Sequence, residues 1–102
     1  KFVGKLVSDA HPKELKAFVD DIMQNLGSGI VVLCSDKDDK ASVVVGVSRD
    51  LTAKYNAVDL VRAASAVVGG QGGGGRPDMA QAGGSDVSKI NEAIAKIKAM
   101  IA

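Results

Sequence analysis

Between residues 11 and 27, apolar side chains recur at three- and four-residue steps: Leu15, Phe18, Val19, Ile22, Met23 and Leu26. That period predicts an amphipathic helix with one buried face. Pro12 suits the first helical position, Glu14 lies in the acid-favouring first turn, and Gly27 supplies a stop. The same stepping returns near the end of the chain, where Val87, Ile90, Ile94, Ile97 and Ile101 form a stripe behind Ser85 as the expected cap. A third helix is predicted over residues 56–70, with Asn56 as N-cap and Asp59 three residues on. It carries little charge, so it should be packed on most sides.

Three other segments read as strands. "KFVGKLV" alternates only loosely, but Val3, Leu6 and Val7 favour a strand. "GIVVLCS" and "ASVVVGVS" are β-branched runs joined by "DKDDK", the pattern of an antiparallel hairpin. The first of the pair is nearly all apolar, as expected of a central strand covered on both faces. The resulting order is strand, helix, strand, strand, helix, glycine-rich loop, helix. It predicts an α+β domain, residues 1–102, with amphipathic helices packed on a small mixed β-sheet.

At 102 residues the chain supports one modest core. Its composition, 46% hydrophobic and 25% charged, is that of an ordinary globular domain. No apolar run reaches membrane-spanning length, so no membrane partner is expected. One cysteine, Cys34, precludes an internal disulfide and fits a reducing, cytoplasmic setting. A net charge of +1 argues against a nucleic-acid binder that works by bulk charge. Within residues 40–76, however, Lys40, Arg49, Lys54, Arg62 and Arg76 outnumber Asp50 and Asp59, so an anionic partner should meet this half. The opening "KFVGKLVSD", with no Met and directly in a strand-like run, suggests a piece of a larger protein.

The stretch "VVGGQGGGGRPDMAQAGG", residues 67–84, holds eight glycines. Gly70, Gly72 and Gly75 have the spacing of a dinucleotide fingerprint, but that motif follows a strand and opens a helix. Here a helix precedes and Pro77 follows. A phosphate-binding P-loop fails as well, because Arg76-Pro77 stands where Lys-Ser/Thr is required. A flexible linker is the bland alternative, yet "RPDMAQAGG" is not linker composition. Consecutive glycines let amides converge on an anion, or let a partner approach the main chain. Arg76 adds a fork of donors, and Gln81 a donor with an acceptor. Met79 reads as an apolar plug for the loop.

Other chemistry is thin. Asp36, Asp38 and Asp39 lack the remaining positions of a calcium loop and read as a solvated turn. His11, the single histidine, reads as a helix-start residue. No Ser/His/Asp, Cys/His, paired-carboxylate or zinc pattern can be assembled, so no catalytic or metal site is expected. Phe2, Phe18 and Tyr55 are too few for a base-stacking platform.

The string "GGGGRPDMAQAGG" resembles the signature of the C-terminal DHHA1 domain of alanyl-tRNA synthetase, a module shared with DHH-type phosphoesterases. The order of "VVVGVSRDL", the helix before the glycines and the terminal helix extends the resemblance over essentially the whole chain. The phosphoesterase motif usually carries a His that holds substrate phosphate. Arg76 and the lack of a nearby His favour the synthetase branch, with the phosphoesterase as alternative. The resemblance implies a tRNA-binding appendage that clamps the outer corner of alanine-specific tRNA during aminoacylation and editing. It also implies a parent ligase using ATP, magnesium and zinc in other domains, with dimerisation through an upstream helical segment. No cofactor is expected in this piece, which should neither aminoacylate nor edit alone. The site residues it implies are Gly72, Gly73, Gly74, Gly75, Arg76, Asp78, Gln81, Gly83 and Gly84.

Overall fold

All three predicted helices form in the computed structural model, which describes residues 2–7, 10–70 and 73–101. Helix α1 spans Pro12–Leu26. His11 precedes it in extended conformation, its Nδ1 accepting from the Lys13 amide at 3.2 Å while its own amide donates to Glu14 at 3.0 Å. Two orphan amides of the first turn are thereby satisfied, which is the helix-start role read for His11. Gly27 closes the helix at φ 80°, its amide donating to the Met23 carbonyl. Helix α2 covers Ala57–Val67, with the Asn56 side chain accepting from the Val58 amide at 2.8 Å. Helix α3, Ile90–Ile101, starts later than expected. Asp86, not Ser85, caps a preceding 3-10 turn, Val87–Lys89, by accepting from the Ser88 amide.

Strands β1 (Phe2–Leu6), β2 (Ile30–Ser35) and β3 (Ala41–Val47) also lie where the apolar runs put them. Strand β2 pairs in parallel with β1 and antiparallel with β3, and every one of its residues is buried. The glycine-rich segment departs from expectation. It is no loop but a hairpin, β4 (Gly73–Arg76) and β5 (Met79–Gly84), which adds two strands to the sheet. Strand β5 pairs antiparallel with β3, and β4 forms the free edge, giving the order β1-β2-β3-β5-β4. The fold is α+β, with a mixed five-stranded sheet between helical layers.

The two sheet faces carry separate cores. Ile30, Val32, Cys34, Val43, Val45 and Val47 meet α2 and α3; Val31, Leu33 and Val44 meet Leu15 and Val19 of α1. Fully burying each of these side chains contributes about 1.5–3 kcal/mol. Burial also pushes the Cys34 thiol from 9.0 up to about 12, so it packs as a small hydrophobe. Coverage is unequal. Helix α2 lies over β3, β5 and β4, whereas α1 lies mainly over β2 and β3 and meets β5 at Met79. Beyond Met79 the hairpin is therefore clothed on one face and bare on the other.

Candidate nucleic-acid interface

Glycine disfavours strands, so a strand reading Gly-Gly-Gly-Arg must be held from outside. Its supports are identifiable. The two-residue turn Pro77-Asp78 is tied at both carbonyls, with the Ala57 amide donating to Pro77 at 2.9 Å and the Val47 amide to Asp78 at 2.8 Å. Helix α2 grips the hairpin through Arg62, whose Nε donates to the Gly73 carbonyl at 3.3 Å, and Ser65, whose hydroxyl donates to Gly83 at 3.0 Å. Neither contact was legible before the pairing was known, because α2 and the hairpin are linked only by tertiary packing.

The glycines then divide by what a side chain would meet. At Gly73 it would strike Ala82 and the Gln81 carbonyl; at Gly84, the Val68 carbonyl. Gly75 combines φ 149° with the Met79 carbonyl only 2.5 Å from a Cβ, so both conformation and space demand glycine. At Gly83 the Ala41 carbonyl would lie 3.0 Å away. Gly74 alone among the hairpin glycines has nothing within 4 Å and no unusual φ. Gly72 lies outside the described residues.

Register explains why. Gly74 pairs with Gln81, which pairs with Val44, and Val44 belongs to the α1-side core. Gly74, Gln81 and Gly83 thus share the face that α1 leaves bare. A depression of about 390 Å³ opens there, lined by Ser42, Val44, Gly73, Gln81 and Gly83 among others, with no charged group. Ser42 was not anticipated as a lining residue; nothing in its own stretch marks it.

Arg76 and Asp78 lie on the same hairpin, beyond this depression. Their side chains form an ion pair at 3.6 Å, and Arg76 is 77% exposed. Both border a second cleft of about 510 Å³ with Asp20, Arg49, Asp50 and Met79. Met79, read as a plug for the loop, packs partly buried against the α1-side core instead. Hydrogen bonds from Ser28, at 2.6 Å, and from Ser48 hold the Asp50 carboxyl below its ordinary value. Three carboxylates offset two guanidinium groups here, so the cleft interior is a poor phosphate seat. Lys40 precedes Ala41, the partner of Gly84, so cations stand near both ends of the glycine face. Among the described residues no cluster of three or more metal-ligating side chains occurs.

A family model for the DHHA1 domain matches residues 1–102. The chain belongs to the DHHA1 family. Its DHHA1 fold is similar to the crystal structure of the C-Ala domain from Aquifex aeolicus alanyl-tRNA synthetase, with a TM-score of 0.90 and 34% identity over 97% of this chain and 88% of that one. The chain is also 60% identical over 98% of its length to the alanine–tRNA ligase of Mesorhizobium japonicum and 54% identical over 95% to that of Paramagnetospirillum magneticum. It spans 11% of the length of each of those proteins. No helix among the described residues is long and apolar enough to cross a membrane.

Proposed function

We propose that this DHHA1 domain is the tRNA-binding C-terminal module of an alanine–tRNA ligase, and that it receives structured tRNA on the bare face of the glycine hairpin. The observation that carries the reading is Gly74: a glycine required by no neighbour, on an exposed edge strand, beside the exposed Gln81 amide. A face without side chains lets a bulky nucleic-acid surface reach main-chain groups, and Gln81 can both donate and accept there. Lys40 and Arg76 supply phosphate contacts at its margins. The names of the relatives and the resemblance of the glycine motif support alanine-specific tRNA as the ligand. In the parent protein the module would hold that tRNA while other domains carry out ATP-dependent aminoacylation and editing. Arg76 after the glycines, with no His nearby, speaks against the phosphoesterase reading.

The test is an anisotropy titration of folded alanine-specific tRNA and an unstructured RNA of equal length, each at several salt concentrations. The folded tRNA should bind more tightly. With Lys40 and Arg76 at the face, the logarithmic salt slope should be about −1.4 to −1.8, at roughly 0.7 to 0.9 per neutralised phosphate. Equal affinities for the two RNAs would refute recognition of tRNA shape.

A further inference from the structure

A third depression, of about 450 Å³, lies away from the glycine hairpin, where the start of β1 and β2 meets the end of α3. Phe2, Ile30, Leu51 and Ile101 form its apolar wall. All but Ile30 are only partly buried, so an apolar surface is left open to water. The Tyr55 hydroxyl donates to the Ile101 carbonyl at 2.8 Å and fixes the wall across the fold.

Two lysines border this wall. Lys54 sits 5.5 Å from the Tyr55 ring centroid, and Lys98 comes from the last turn of α3. Among the described residues no carboxylate lines the depression, and neither lysine has an ion-pair partner. The contrast with the cleft at Arg76 is direct: there carboxylates offset the cations, here positive charge stands uncompensated beside apolar surface. Such a site is complementary to an apolar group flanked by carboxylates. Its openness argues against an enclosed small molecule, because ligand pockets bury about 70–90% of a ligand's surface. One side chain of a protein partner fits the shape better.

We infer that this depression is a docking site for an acidic protein segment that inserts one large apolar side chain between Lys54 and Lys98. It is separate from the glycine face, since it lies on the α2/α3 side of the sheet by β1 and β2, at the opposite edge from β4. The chain would thus carry two surfaces, one for RNA and one for protein.

The probes are three N-acetylated, C-amidated tripeptides, Glu-Phe-Glu, Gln-Phe-Gln and Lys-Phe-Lys, titrated into the ¹⁵N-labelled chain. The acidic peptide should shift the amides of Leu51, Tyr55 and Ile101, and should bind more tightly than the neutral one by about twofold to fivefold per ion pair. The double variant Lys54→Glu/Lys98→Glu, altered only at exposed positions, should reverse the order and favour the lysine peptide. Its tRNA affinity should stay within about twofold of wild type, since the two lysines lie towards the opposite edge of the sheet from β4 and exposed charges are screened beyond about 8 Å at physiological salt. Shifts absent from the depression, or equal affinities for the three peptides, would overturn the inference. So would a large loss of tRNA binding in the double variant, which would assign the lysines to RNA. Concentration-dependent shifts of the same amides in the free chain would assign the site to a second copy instead.

Discussion

Placing the same valine at adjacent positions of β4 should separate the RNA face from the architecture. In Gly74→Val the new side chain enters open space on an ordinary strand backbone. Replacing glycine in a strand favours folding by up to about 1 kcal/mol. The melting temperature should therefore hold or rise, by no more than roughly 4–8 °C for a domain of this size. Gly75→Val is different. Its φ of 149° is a conformation that costs other residues about 1–3 kcal/mol. The Met79 carbonyl 2.5 Å from the new Cβ forces a backbone shift worth about 1–3 kcal/mol more. That variant should melt at least roughly 8 °C lower. RNA binding should show the reverse pattern. Branched methyl groups at Gly74 hold a seated RNA off the sheet, and losing 50–100 Å² of contact at about 25 cal/mol per Å² costs about 1.3–2.5 kcal/mol. Alanine-specific tRNA should then bind about tenfold or more weakly. The assay pairs thermal melting by circular dichroism with the tRNA titration. A folded Gly74→Val protein with wild-type tRNA affinity would refute the open-face reasoning. A melting temperature several degrees below wild type would refute the local geometry behind it.

Arg76→Ala removes an exposed ion pair whose contribution to stability is small, so melting should be unchanged within about 0.5 kcal/mol. Its tRNA affinity should fall about threefold to tenfold, the effect of one charge-assisted hydrogen bond discounted for exposure and for Asp78 beside it, and unchanged affinity would remove Arg76 from the interface. Burial raises the Cys34 thiol pKa to about 12, so the folded chain keeps a proton that the unfolded chain releases above about pH 9. This contribution to stability is complete below pH 9 and is lost as pH rises towards 12, at up to about 1.4 kcal/mol per pH unit. Denaturant melts of wild type and Cys34→Ala between pH 8 and 10.5 should show a steeper decline in wild type; parallel curves would contradict the burial argument.

Helices and inner strands were legible in the sequence because their causes are local. The 3.6-residue stepping of Leu15, Val19, Ile22 and Leu26 names the buried face of α1 whatever it packs against, although Phe18, read as part of the same stripe, lies at its margin and stays 42% exposed. A nearly all-apolar β2 fits only between two covering layers. The glycine motif, read as a string, carried the family. Its conformation was not legible. Gly73, Gly74 and Gly75 have no strand propensity, so nothing within residues 67–84 distinguishes a loop from an edge strand. The deciding forces come from elsewhere: β3 offers its free edge to residues 79–84, and Arg62 and Ser65 of α2 bond the hairpin's carbonyls. The same holds for the site. As a sequence, Gly73, Gly74 and Gly75 are equivalent. Register then turns Gly73 and Gly75 towards the covered face and Gly74 towards the face that α1 is placed too far to cover. Composition could say that a backbone is approached closely. Only pairing with Gln81 decided that at Gly73 and Gly75 the neighbour is the protein itself, while Gly74 is left open to solvent.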